Sequence, residues 1–254
     1  MIEVSELSKR RGQKVAVDAL TFQVHPGRVT GFMGANGAGK STTIRMMLAL
    51  DTPTSGTALV RGRPYRSLHR PLEIVGSLLD ARSFHAGRSA RNHLGYLAVS
   101  NALPPGRVEA VLELTGLGDV AGARVGTFSL GMRQRLGIAA ALLGDPEILV
   151  LDEPMNGLDP EGTVWMRRML RAMAAEGRTV FVASHLMSEM ALTADHLIVI
   201  GSGRLMADIS LEQMIAATVD DKVGSTPNTR HLARVLPLLE NAYFNATDID
   251  GPAR

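Results

Sequence analysis

The sequence contains no cysteine, which excludes disulfide bonds, thiolate catalysis and zinc–thiolate sites and fits a reducing compartment. Aromatic residues make up only 4% of the chain, so we expect no stacking platform for single-stranded nucleic acid. The net charge is only +2, and no block of lysine or arginine occurs. This pattern favours an ordinary solvated surface, and we predict no nucleic-acid partner.

Long hydrophobic runs are also missing. No stretch approaches the roughly 18 apolar residues that span a bilayer, and the segment MIEVSELSKRRGQ lacks the apolar core of a secretory signal. The sequence therefore predicts a chain that acts at a membrane only from outside it. With 254 residues, 45% of them hydrophobic and 20% charged, the chain has an ordinary globular composition and could form one large domain or two small ones.

Four short β-rich runs indicate the fold class. They are Val29–Gly34, Glu147–Asp152, Thr179–Ser184 and His196–Ile200. Their nearly continuous apolar character is typical of strands buried on both faces of a parallel sheet. We predict helices at Ser41–Leu50 and Glu161–Glu176, the second with Asp159 as N-cap and Pro160 in its first turn. The alternation of strands and helices predicts an α/β fold with right-handed crossovers.

The chain divides into regions of different composition. Residues 80–145 are rich in Ala, Leu, Arg and Gly with helical periodicity, which predicts a helical subdomain inserted between the two halves of a core, 1–79 and 146–210. Residues 211–254 are weakly patterned and form a C-terminal extension. Their sequence leaves open whether this extension is a small lobe or a frayed, partly disordered tail.

A phosphate-binding loop is the strongest local motif. The residues that fit G-x-x-x-x-G-K-[ST] are Gly34, Ala35, Asn36, Gly37, Ala38, Gly39, Lys40 and Ser41. Glycines let the backbone curl so that N–H groups converge on phosphate oxygens. Lys40 is predicted to contact the β- and γ-phosphates, Ser41 to ligate Mg²⁺, and Thr42 to add a phosphate contact. A β-rich run before the loop and a helical segment after it supply the required context.

Two acids and a histidine follow predicted strands. Asp152 ends an apolar run and is predicted to hold Mg²⁺ through water, while Glu153 is predicted to act as general base toward an attacking water. His185 follows the next strand, at the same edge of the sheet, where it could sense or position the γ-phosphate. We therefore predict Lys40 and Glu153 as catalytic residues, whereas a lone histidine is more often structural and the residues alone leave the role of His185 open.

The order of these motifs resembles that of the nucleotide-binding subunit of ATP-binding cassette (ABC) transporters. The elements that carry the resemblance, over about residues 1–210, are the P-loop, the helical insertion, FSLGMRQR, LVLDEP, NGLD and SH. The resemblance implies a P-loop NTPase core, with a mainly parallel sheet flanked by helices and an N-terminal antiparallel β portion, plus a helical subdomain. It also implies ATP hydrolysis with ATP and Mg²⁺ bound. The stretch GSLLDA…ARNHL resembles bacterial drug and bacteriocin exporters.

The segment SLGMR resembles the family signature, usually written LSGGQ, which caps the γ-phosphate of ATP held by another subunit. Ser129 and Gly131 match this pattern, whereas Leu130 replaces a glycine and Met132 a glutamine. The resemblance therefore implies that Ser129, Gly131 and Met132 contact ATP in trans, in a head-to-tail dimer with a second copy of the chain. Ser129 is also a plausible helix N-cap, and the two roles are compatible. Asn156–Asp159 resembles the D-loop, which crosses the dimer seam.

Two positions depart from the family pattern. Arg11 stands where many members stack an aromatic residue on adenine, and we predict that its guanidinium takes that contact. Asp80 stands where the family has a glutamine that contacts Mg²⁺, and we predict it as a further ligand of metal or water. His185 matches the switch histidine of the family, and the resemblance therefore implies that it joins Lys40 and Glu153 in the catalytic set.

The resemblance also implies a separate transmembrane permease. We predict that residues 80–94 line its docking groove, although they are equally explained as a solvated connector. The chain would then lie in the cytoplasm, on the inner face of the cell membrane. The alternative is a soluble ABC-type ATPase that remodels nucleic acid, ribosomes or a protein scaffold. A GTPase switch is disfavoured because Asn-Lys-x-Asp is absent.

Overall fold

The N-terminal part of the chain forms a small antiparallel sheet. The computed structural model describes residues 1–81 and 84–214. Strands β1 (Ile2–Arg11), β2 (Lys14–Val24) and β4 (Ser55–Val60) pair in the order β2-β1-β4. Their alternating burial leaves one face in the core and the other toward solvent.

A second, six-stranded sheet forms the centre of the molecule. Its strands are β3 (Arg28–Met33), β5 (Val75–Leu78), β6 (Ile148–Asp152), β7 (Thr179–Ser184), β8 (His196–Gly201) and β9 (Arg204–Ser210). The order is β5-β6-β7-β3-β8-β9, with only β9 antiparallel to its neighbour. Because β3, β6 and β7 are parallel neighbours, their carboxyl ends meet at one edge of the sheet, where ligands bind in such folds.

Seven α-helices surround or extend this sheet within the described residues. They are α1 (Lys40–Met47), α2 (Pro71–Ile74), α3 (Ala90–Ser100), α4 (Arg107–Leu114), α5 (Leu130–Leu142), α6 (Pro160–Ala175) and α7 (Met187–Ala191). Three of them, α3, α4 and α5, lie in the segment whose composition predicted a helical insertion. The structure thus has the predicted α/β class, with a mainly parallel sheet and an antiparallel N-terminal portion.

Local sequence determines several boundaries. The Ser129 side chain accepts a hydrogen bond from the N–H of Met132 at the start of α5, and Asp159 accepts one from Gly162 at the start of α6. Helix α1 ends three residues before the predicted Leu50, because Ala49 adopts a left-handed φ of 55°. The antiparallel strand β9 was not predicted, since its short sequence has no strong strand pattern.

Three phenylalanine rings join the two sheets. Phe32 of β3 lies 5.6 Å from Phe22 of β2 and 5.1 Å from Phe181 of β7, measured between ring centroids. All three are at most 3% exposed. Aromatic rings at these distances bury large apolar areas and attract one another. This cluster therefore fixes the antiparallel sheet on the face of the central sheet that carries α1.

We predict that F181A lowers the free energy of unfolding by about 3–5 kcal/mol, because the buried ring leaves a cavity between the sheets. Urea denaturation of the two proteins measures this difference. The control V99A removes a side chain that is 84% exposed, and it should change the value by less than about 0.5 kcal/mol. Equal midpoints for F181A and the unsubstituted chain would show that this cluster does not hold the sheets together.

Candidate functional site

The P-loop connects β3 to α1, and its glycines are required by its backbone. Gly37 and Gly39 have φ of 83° and 110°, in the left-handed region that favours glycine. A Cβ on Gly34 would lie 2.5 Å from the carbonyl oxygen of Ile200, and one on Gly39 would lie 2.7 Å from that of Ala16. The loop is therefore packed between β2 and β8, and only a glycine backbone makes this path possible.

Lys40, the first residue of α1, is buried beside this loop. Its Nζ donates to the carbonyl of Gly34 at 2.5 Å and lies 3.4 Å from that of Ala35. Burial lowers the pKa of Lys40, whereas the nearby carboxylates of Glu153 and Asp152 oppose that shift. A desolvated ammonium group held by carbonyl dipoles is suited to exchange these weak partners for a polyphosphate.

Asp152, at the end of β6, carries the opposite charge and is half-buried. Its Oδ1 is buried without a hydrogen-bond partner among the described residues, and the Ser41 hydroxyl lines the same cleft beside it. Burial raises the pKa of Asp152, the neighbouring Glu153 adds to the effect, and Ser41 and Lys40 oppose it. An orphaned carboxylate oxygen beside a serine hydroxyl is a donor set that suits Mg²⁺ and its waters.

Glu153 lies between Lys40 and His185. Its Oε1 is 2.8 Å from Nδ1 of His185 and 3.9 Å from Nζ of Lys40. The Ser184 hydroxyl lies 3.5 Å from the other carboxylate oxygen of Glu153 and 3.4 Å from Glu189. The structure therefore brings the three predicted catalytic side chains together, although they come from three separate elements.

A cleft of about 340 Å³ opens onto these groups. Its lining includes the predicted residues Arg11, Asn36, Gly37, Gly39, Lys40, Ser41, Thr42, Asp152 and Glu153. Arg11 reaches the cleft from the end of β1 while its Nη2 donates to Asp51 at 2.9 Å. Lys14 and Ala16 line the cleft as well. The sequence did not point to them, because only the turn between β1 and β2 brings them there.

Asp80 and the signature segment lie outside the lining of this cleft. Asp80 is exposed just after β5 and is not among the residues that line the cleft. Ser129, Gly131 and Met132 do not line it either, since they form the start of α5. The Met132 side chain packs against the core, and its N–H is engaged by Ser129. The chain thus presents a nucleotide-sized cleft and, apart from it, a second helix start of the kind that binds anions.

The sequence did not identify Gln134 as a candidate site residue. It is one turn into α5 and only 5% exposed, and its Nε2 donates to the carbonyls of Pro154 at 2.8 Å and Glu153 at 3.3 Å. A glutamine at a buried position of a helix is a signal that could have identified it, because buried amides need partners.

A P-loop before a helix, with a half-buried aspartate and an adjacent glutamate at the end of a parallel strand two places away in the same sheet, defines a P-loop nucleotide hydrolase. Comparison with known proteins narrows this class. A family model described as ABC transporter matches residues 17–156. The chain is 41% identical to the bacitracin transport ATP-binding protein of Bacillus licheniformis over 84% of this chain and 71% of that protein.

A second relative and a solved structure are similar to the chain as well. The lantibiotic transport ATP-binding protein of Streptococcus pyogenes is 32% identical over 82% of this chain and 90% of its own length. A dimeric ATP-binding cassette, solved in a post-hydrolysis state with ADP and Pi, shares the fold, with a TM-score of 0.76 and 21% identity over 83% of this chain and 99% of that one.

The chain belongs to the ABC transporter family, and it is an ATP-binding, ATP-hydrolysing subunit of that family. These findings favour a transport ATPase over the alternative of a soluble remodelling ATPase. Within residues 1–81 and 84–214, no helix has both the length and the apolar character that crossing a membrane requires.

The buried charge at Asp152 generates a test of stability. Because the pKa of Asp152 is raised above its ordinary value of 3.8, the folded chain holds this proton more tightly than the unfolded chain, and the ionised form opposes folding above the raised pKa. We predict that D152N raises the melting temperature of the nucleotide-free chain at about pH 7.5. The gain should shrink as the pH falls through the raised pKa toward 3.8.

Asp51 supplies a control of opposite sign. A hydrogen bond from Arg45 is the largest of the causes that hold its pKa below the ordinary value, so its carboxylate stabilises the fold above that value and loses this contribution in acid. D51N should therefore lower the melting temperature at about pH 7.5, with a difference that also shrinks in acid. A D152N protein that melts below the unsubstituted chain at this pH would contradict the assignment of a costly buried charge.

Proposed function

We propose that the chain binds MgATP in the cleft beside the P-loop and hydrolyses it there. The observation that carries this proposal is the convergence of Lys40, Ser41, Asp152 and Glu153 on one cleft. The predicted ATP contacts are Arg11, Gly34, Ala35, Asn36, Gly37, Ala38, Gly39, Lys40, Ser41 and Thr42. The loop supplies N–H donors for the phosphates, and Lys40 supplies a positive charge.

The proposed chemistry is in-line attack of a water on the γ-phosphate. Glu153 accepts the proton of that water, and His185 orients the Glu153 carboxylate through their 2.8 Å contact. Ser41 and Asp152 are the proposed holders of Mg²⁺, with Asp80 as a further candidate through water. When bound, Mg²⁺ neutralises the negative charge of the phosphates.

The second half of each site comes, in this proposal, from a second copy of the chain. Ser129, Gly131 and Met132 lie at a helix start outside the cleft of their own chain, and a helix start attracts a phosphate. A head-to-tail dimer joins each P-loop to the partner's helix start, so that two ATP molecules hold two chains together. The dimeric state of the solved cassette with ADP and Pi supports this arrangement.

We propose that ATP hydrolysis by this chain powers export through a separate transmembrane permease. The relatives named for bacitracin and lantibiotic transport support this assignment and suggest peptide antibiotics as a cargo class. The permease would hold the chain at the inner, cytoplasmic face of the cell membrane, near residues 80–94. In this proposal the catalytic core comprises residues 1–79 and 146–210, and the helical subdomain comprises residues 80–145. The C-terminal extension, 211–254, lies outside the described residues beyond Met214.

We predict that E153Q binds ATP but turns it over at least about 100-fold more slowly, because the proton acceptor is lost. The trapped nucleotide should convert the protein from monomer to dimer in gel filtration when ATP and Mg²⁺ are added. The matched control is the double variant K40A/E153Q, which lacks the phosphate-binding ammonium group and should stay monomeric. An E153Q protein that is monomeric with and without ATP would contradict the shared site, and unchanged turnover would contradict the role of Glu153.

A further inference from the structure

The loop between β6 and α6, residues 153–159, contacts the start of α5 at its far end. Gly157 has φ of 78°, and a Cβ placed there would lie 2.5 Å from Cγ and 2.6 Å from Cδ2 of Leu130. The Leu130 side chain, which is 53% exposed, occupies the space that a Cβ at position 157 would take, so a larger residue there has to displace it. A Cβ on Gly131 would lie 3.0 Å from the carbonyl oxygen of Gly157, so the loop backbone and the helix start approach each other closely.

The near end of the same loop is held one turn further along α5. Gln134 donates from Nε2 to the carbonyls of Glu153 and Pro154, at 3.3 and 2.8 Å. The side chain is buried, so these two carbonyls take the place of water as partners of its amide. Helix α5 thus contacts the loop at two points, through the half-exposed Leu130 side chain and through the buried Gln134 amide.

The residue that needs this support is Glu153 itself. Its φ of 50° lies in the left-handed region, which a glutamate rarely adopts and which persists only where the surroundings determine it. Its N–H donates to the carbonyl of Ala183 at 2.9 Å, and its own carbonyl accepts from Gln134. The strained peptide is therefore held by β7 on one side and by α5 on the other.

We propose that Gln134 is a positioning residue that acts through the loop to aim the Glu153 carboxylate. Leu130 and Gly157 form a size-matched pair beside it, in which a large side chain on the helix requires a glycine on the loop, so that only an added side chain at position 157 displaces the loop. This inference rests on the proposed role of Glu153 as general base. Since Ser129 caps the start of α5, one helix connects the end that is proposed to meet a partner's phosphate with the general base of its own chain.

The first test compares G157A with G62A in the full-length chain. Both glycines have a positive φ, 78° and 73°, but apart from Gly62 and its two chain neighbours no atom of the described residues lies within 4 Å of a Cβ placed on Gly62. The two variants therefore share the backbone strain, and only G157A forces a methyl group into Leu130. We expect G157A to lower kcat for ATP at least about tenfold with KM within about twofold, because displaced reacting groups slow the chemical step. G62A should keep both constants within about twofold of the unsubstituted chain.

The second test asks whether the pair is matched in size. L130A alone should keep kcat within about threefold, and L130A/G157A should recover to the level of L130A because the shortened side chain makes room for the methyl group. Q134M keeps the length of the side chain but removes its donors, and we expect it to lower kcat at least about tenfold with KM nearly unchanged. Melting temperatures measured alongside show whether each variant is folded. If Q134M does not fold, G157A, L130A and L130A/G157A test the proposal without it.

Three results would overturn the proposal. The first is G157A or a folded Q134M with the kcat of the unsubstituted chain, and the second is L130A/G157A as slow as G157A. The third is a variant in which kcat, KM and melting temperature all change together, which would mark a merely structural contact. E153Q serves as the reference, since normal turnover in E153Q refutes the proposed function itself. An inactive E153Q beside a fully active G157A refutes only the positioning role.

Discussion

The site depends most on two opposite charges that the fold holds partly out of water at the edge of its central sheet. Lys40 and Asp152 sit in surroundings that shift both pKa values toward the neutral forms. Neither group has a full set of hydrogen-bond partners in the protein. Lys40 donates to a carbonyl of the loop, and Asp152 has a buried oxygen without a partner among the described residues. Charges with incomplete partners suit a charged ligand, because a polyphosphate with its metal ion would supply the partners that Lys40 and Asp152 lack.

The rest of the fold brings these charges together. Parallel pairing of β3, β6 and β7 puts the ends of three strands side by side, and each contributes one part of the site: the P-loop, the acid pair and His185. The helical segment then adds α5, which carries a capped start at Ser129 and holds the acid-bearing loop through Gln134. One arrangement thereby contains a complete binding loop and also the helix start that we propose as half of a site for another chain.

Much of this could be predicted from the sequence because the motifs are local. The P-loop, the apolar run before Asp152 and the caps at Ser129 and Asp159 each depend on a few adjacent residues, and the structure forms them as expected. The contacts that join distant segments could not be predicted in the same way. The approach of Lys14 to the cleft and the packing of Leu130 on Gly157 are fixed only by tertiary structure, and the pattern of a single segment carries no record of them.

The central claim is that each nucleotide is shared between two chains. Its most direct test is an experimental structure of the E153Q protein with ATP and Mg²⁺ bound. We expect the Ser129 hydroxyl of one chain to lie within about 3 Å of a γ-phosphate oxygen whose ATP is held by Lys40 of the other chain. A structure in which the start of α5 faces away from every triphosphate would contradict the claim.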